Sequence, residues 1–102
     1  MDREKMLKKI KSDISDDYPT AKLILYGSRA RGDFCKYSDW DFLIIFENNV
    51  TNEQEMQIRD KIYDLELESG EVLCFIIHSK KEWENLQITP FYRNVEREGI
   101  YV

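Results

Sequence analysis

In its 102 residues the chain has two cysteines, two prolines, four glycines, one histidine and no long apolar run. Cys35 and Cys74 stand far apart with no Cys-x-x-Cys spacing, which leaves no thiolate cluster or redox pair. Their apolar neighbours predict two buried, reduced thiols. His78, the sole histidine, follows an apolar stretch and has no cysteine or carboxylate at ligand spacing, so it reads as a structural residue and not a catalyst. No signal peptide or bilayer-length segment is present, and the cytoplasm is the expected location. Repeats, low-complexity tracts and linkers are missing as well, so one domain over residues 1–102 is expected. With 42% apolar residues it can bury a single modest core, with no room for a second module. A basic excess is also lacking. The net charge of −5 disfavours a polynucleotide partner, which would draw on clustered Lys and Arg.

What is present is concentrated in residues 27–41, which read Gly-Ser-Arg-Ala-Arg-Gly-Asp-Phe-Cys-Lys-Tyr-Ser-Asp-Trp-Asp. Leu23, Ile24, Leu25 and Tyr26 form a β-rich run that stops at Gly27. Ser28 can cap a short helix starting at Arg29, whose free N–H groups and dipole suit a polyphosphate, and Gly27 permits close approach. Ten residues separate Ser28 from Asp39, fewer than the dozen or so a parallel crossover needs, so the next strand should run antiparallel to the first. That strand is Trp40–Phe46, a near-continuous apolar run expected to be covered on both faces. Antiparallel pairing brings Asp39 and Asp41 beside Ser28, their Cα atoms roughly 7 Å apart on one face. Two Mg²⁺ ions about 4 Å apart fit between such carboxylates and a triphosphate. Gly-Ser after a strand is a common turn, and Ser-Asp before an apolar run is a common strand entrance. The two together, at this separation, point to a nucleotide and metal site.

The remaining elements follow from periodicity and caps. Met6, Leu7, Ile10 and Ile14 repeat at helical spacing up to about Asp16, and Pro19 marks the break. Thr51 and Gln54 form a capping box, Ile58, Ile62 and Leu65 one helical face, and Gly70 a terminator. Val72–Ile77 is a third strand, parallel to the second by a right-handed crossover, with its start at the active edge. Ser79 and Glu82 make another capping box ahead of a short helix through Leu86. Thr89 with Pro90 opens a last helix that Gly99 ends, before an edge strand at Ile100–Val102.

The stretch from Gly27 to Asp41, with its Ser-Asp-x-Asp-Phe-Leu-Ile ending, resembles the signature of the minimal nucleotidyltransferases of the DNA polymerase β superfamily. The element order is similar over nearly the whole chain. The resemblance implies an α/β fold, a small mixed sheet with helices packed mainly on one face. It implies transfer of AMP from ATP to a protein hydroxyl, with Asp39 and Asp41 holding two Mg²⁺ ions and Gly27 and Ser28 taking the β and γ phosphates. Stand-alone members include antitoxins paired with HEPN-domain toxins, some silenced by adenylylation of a tyrosine, so such a toxin is the expected partner. Arg29 and Arg31 follow Ser28, where a guanidinium holds either phosphate oxygens or acidic groups of the partner. Family members use a third carboxylate, usually an Asp on the next strand. Here Glu71-Val72-Leu73-Cys74-Phe75-Ile76-Ile77 contains no Asp. Glu71, at its beginning, is the candidate, and equally reads as a solvated turn glutamate. The missing Asp also supports a second class, a non-catalytic module that binds nucleotide and masks its partner. An RNA or small-molecule nucleotidyltransferase is a third, disfavoured by acidity and by the lack of substrate-binding domains.

Overall fold

The computed structural model describes residues 2–35 and 37–102. The carboxylate of Asp2 caps helix α1 (Arg3–Ser15) by accepting from the Lys5 N–H. One face of α1, carrying Met6, Ile10 and Ile14, is buried. Strand β1 (Lys22–Tyr26) leads through Gly27 into a single helical turn, α2 (Ser28–Arg31), and then to strand β2 (Trp40–Phe46). Helix α3 (Asn52–Ser69) opens on the reciprocal Thr51/Gln54 capping box and closes at Gly70, which is left-handed with φ 72°. Strand β3 (Leu73–Ser79), helix α4 (Lys80–Asn85), helix α5 (Pro90–Glu98) and strand β4 (Ile100–Tyr101) complete the chain. Ser79 and Glu82 form the second capping box, and the Thr89 hydroxyl caps α5.

The sheet order is β3-β2-β1-β4. β1 pairs antiparallel with β2, as its short connection requires, and β2 pairs parallel with β3 across α3. β4 adds an antiparallel edge to β1. β2 is therefore internal, and every residue of it except Asp41 is buried. Phe42, Leu43 and Ile44 are fully inaccessible, each worth roughly 1.5–3 kcal/mol relative to exposure.

Alternation sorts the side chains into two layers. Leu23, Leu25, Trp40, Phe42 and Ile44 pack against the long helices α1 and α3. Ile24, Leu43 and Ile45 pack against Trp83 of α4 and Val95 of α5. The larger helical layer lies on one face, and a smaller one closes the other.

Two local expectations are corrected. Ser28 does not cap α2: Gly27 is the N-cap residue, no side-chain cap bond forms, and Ser28 is already helical. Cys35 is exposed, because its segment lies in the loop after α2 away from both cores, with its Sγ 3.4 Å from the Ser38 hydroxyl. Cys74 is half-buried, and both thiols are free.

Candidate active site

At the end of β1, Tyr26 lies opposite Asp41 on β2, and Asp41 lies level with Cys74 on β3. Cross-strand partners share a face, so the three side chains form a row along one end of the sheet, on the side of α4 and α5. Gly27 is at φ 76°, a backbone region that disfavours any side chain. Space adds a second reason for glycine: a Cβ there would stand 2.5 Å from Asp41 Oδ2. The Asp41 carboxylate thus lies directly over the turn that begins α2. Asp39, exposed just before β2, brings its Oδ2 within 3.8 Å of Cys74 Sγ, which donates to it.

These neighbours shape one another's protonation. Burial first, and then the Asp39 charge, push the Asp41 carboxyl above its ordinary range, while Arg31 pulls it back. Burial, followed by Asp39 and Asp41, raises the Cys74 thiol. Burial, Asp41 and Cys74 push the Tyr26 phenol up to about 12. Around Asp41 the field is negative, and it favours a cation.

The expected site residues separate into two groups. Gly27, Ser28, Asp39 and Asp41 meet where the first two strands join. Arg31 lies close enough to Asp41 to lower its pKa, and it also pairs with Asp33 at 3.1 Å and Glu98 at 3.3 Å. Arg29 and Glu71 belong to a structural knot instead. The Arg29 guanidinium donates twice to the Ser38 carbonyl, at 3.0 and 3.3 Å, and packs on the rings of Phe34 and Trp40 at 4.6 and 4.4 Å. Glu71 Oε2 accepts from the Trp40 indole N–H and pairs with Arg29 at 3.7 Å. Trp40 and Asp41 are successive strand residues and face opposite ways. The Glu71 carboxylate is accordingly held on the side of β2 turned away from Asp41.

Cys74 and Tyr26 are the neighbours of Asp41 that a search for acids passes over. A usable signal was the alternation on β3, where Cys74, Ile76 and His78 share a face. Among the described residues no three His, Cys, Asp or Glu side chains form a ready metal set. Asp39 and Asp41 nonetheless fit a hard divalent cation, since they offer carboxylate oxygens in mutual repulsion.

A family model of the nucleotidyltransferase domain matches residues 7–102. The chain belongs to this nucleotidyltransferase family. It is 32% identical over 101 residues to the "Putative protein adenylyltransferase MJ0604" of Methanocaldococcus jannaschii, covering 97% of this chain and 96% of that one. Among solved structures, a toxin-antitoxin crystallised with AMP-PNP superposes with TM-score 0.61 at 16% identity, over 97% of this chain and 71% of that one. A "putative nucleotidyltransferase" from Sulfolobus solfataricus does so with TM-score 0.54 at 22% identity, over 95% and 76%. At these identities the two structures speak for the nucleotidyltransferase fold. Among the described residues no helix is long and apolar enough to cross a membrane.

Proposed function

We propose that this nucleotidyltransferase, acting as a single domain in the cytoplasm, transfers AMP from ATP to a hydroxyl on a partner protein. A tyrosine of a HEPN-type toxin is the acceptor we favour. The observation that carries the reading is the Asp41 carboxylate lying over the Gly27 turn, with Asp39 beside it. Support for a protein acceptor comes from the name of the M. jannaschii relative. Support for a toxin partner comes from the toxin-antitoxin structures that share the fold.

Asp39 and Asp41 would hold two Mg²⁺ ions, with ATP as the second ligand of the site. Magnesium supplies charge neutralisation on the phosphates and alignment of an in-line displacement. The chain's own contribution is to fix the two carboxylates two residues apart, Asp41 within β2 and Asp39 just before it. Gly27 keeps the turn free of a side chain, and the first N–H groups of α2, together with Ser28, receive the β and γ phosphates. The acceptor hydroxyl releases its proton to solvent as its oxygen bonds to the α-phosphorus, the α–β anhydride bond breaks, and pyrophosphate leaves.

A masking module is the second reading, favoured by Cys74 standing level with Asp41 on β3 while Glu71 is engaged by Trp40 and Arg29. A catalytic role for Glu71 requires its release from that knot. α-Labelled ATP, incubated with the protein, Mg²⁺ and a purified HEPN-type toxin, separates the two. Label appearing on a toxin tyrosine supports the transferase, while a stable complex without label leaves the mask. Glu71→Gln should preserve nucleotide binding in either case. Loss of transfer without loss of fold stability would place Glu71 in the reaction, and a parallel loss of stability would place it in the knot.

A further inference from the structure

Helix α3 is apolar on two opposite sides. Ile58 and Leu65 face the core, whereas Met56, Tyr63 and Leu67 are 66%, 59% and 67% exposed. Spacings of seven and four residues put these three side chains on one line along the outer surface of the helix. Beside them runs a groove of about 310 Å³ between α3 and β3, floored by Ile62, Leu73 and Phe75. β3 is an edge strand, so the groove opens along the rim of the sheet.

An acidic row, Asp60, Asp64 and Glu68, runs in succession beside this stripe, the last two on the flank away from the groove, lining a pocket with Lys9 and Lys61, while Arg59 and Glu66 line the groove side. α3 contains six carboxylates and two basic residues. Arg59 is paired with Glu55 and Lys61 with Asp17, and among the described residues Asp60, Asp64 and Glu68 have no ion-pair partner. That pattern selects the occupant. A second copy laid helix to helix would set acid rows against each other, and an anionic bilayer or a nucleic acid would be repelled for the same reason.

We propose that the outer face of α3 docks a partner protein through a basic amphipathic helix, its apolar side on Met56, Tyr63 and Leu67 and its Lys or Arg side chains beside Asp60, Asp64 and Glu68. The anchoring contacts are the large side chains, and the acids set orientation and on-rate. The surface lies on α3 and the β3 rim, distinct from the Gly27 turn, and docking here does not depend on the transfer reaction.

A designed amphipathic peptide with a leucine face flanked by lysines serves as the probe, titrated into the full chain by calorimetry. Saturable one-to-one binding that weakens as salt is raised is expected. A triple variant Met56→Ser, Tyr63→Ser and Leu67→Ser, altering only exposed positions, should keep the melting temperature and weaken the peptide by at least about tenfold. Asp60→Asn with Asp64→Asn should weaken binding and flatten its salt dependence. No saturable binding, unchanged affinity in the triple variant, or equal affinity for a peptide with glutamate in place of lysine overturns the proposal. Dimerisation in sedimentation that the triple variant abolishes also overturns it, in favour of a second copy.

Discussion

At Asp41 the needs of folding and of the proposed metal site pull apart. Burial and the Asp39 charge hold its carboxyl above the ordinary 3.8, so the folded chain binds this proton more tightly than the unfolded chain does. Its ionisation therefore costs stability as pH climbs from 3.8 through the raised value. Asp41→Asn should make the ligand-free protein more stable than the parent at neutral pH. The difference should shrink toward zero as pH falls to 3.8. Urea titrations across that range test it, and a loss of stability at neutral pH would instead make Asp41 a structural hydrogen-bond acceptor. Arg29 is the opposite case, a charge that the fold uses. It is 8% exposed and joins Ser38, Phe34, Trp40 and Glu71. Arg29→Ala leaves the Glu71 carboxylate without its cation and should destabilise by about 3 kcal/mol. Lysine should rescue little, because the flat two-ring contact and the paired donation to Ser38 need a guanidinium. A change below about 0.5 kcal/mol in denaturant unfolding would count against the knot.

At the scale of elements, local chemistry made the sequence readable. Thr51 with Gln54, Ser79 with Glu82, Thr89 with Pro90, and Gly70 each mark a boundary through a bond or backbone preference that acts within four residues. The apolar run of β2 announced its internal place, and the short link from Ser28 to Asp39 announced antiparallel pairing. Side-chain engagement across elements was not legible. Glu71 looks available in the sequence because nothing near it in the chain shows that Trp40 and Arg29 will engage it. Cys74 looks like core, and only the parallel register sets it beside Asp41. Ser28 has the right chemistry for a cap, but the positive φ of Gly27 starts the helix one residue earlier. Since the caps are local, their removal should be local too. Thr51→Ala breaks the bond accepted from the Gln54 N–H at 3.1 Å and should cost about 1 kcal/mol. For a domain of this size that lowers the melting temperature by about 4–8 °C. An unchanged melting temperature would mean that solvent replaces the cap at no cost.

Over the whole molecule, the charge of −5 and the acidic pair act in the same direction on a triphosphate. On the proposed reading ATP would meet a negatively charged protein and, at the Gly27 turn, two carboxylates already in mutual repulsion. The short α2 turn offers few N–H groups to offset that field, and of the two nearby guanidiniums Arg29 serves the knot while Arg31 is shared with Asp33 and Glu98. Metal-free ATP should bind weakly if at all, and Mg²⁺ alone should bind weakly because two carboxylates are a sparse ligand set. Together they should complete each other: the nucleotide would supply the missing oxygens and the cation would remove the repulsion. A ligand that binds only the folded state raises stability by RT ln(1 + [L]/Kd), about 2.7 kcal/mol at a hundredfold excess over Kd. The melting temperature should therefore rise when ATP and Mg²⁺ are both present, and stay near the parent value with ATP plus chelator or with Mg²⁺ alone. Asp39→Asn combined with Asp41→Asn should abolish the rise while leaving the protein folded. An equal rise with ATP plus chelator would show that the phosphates are held by groups other than the acidic pair, and would remove the metal from the site.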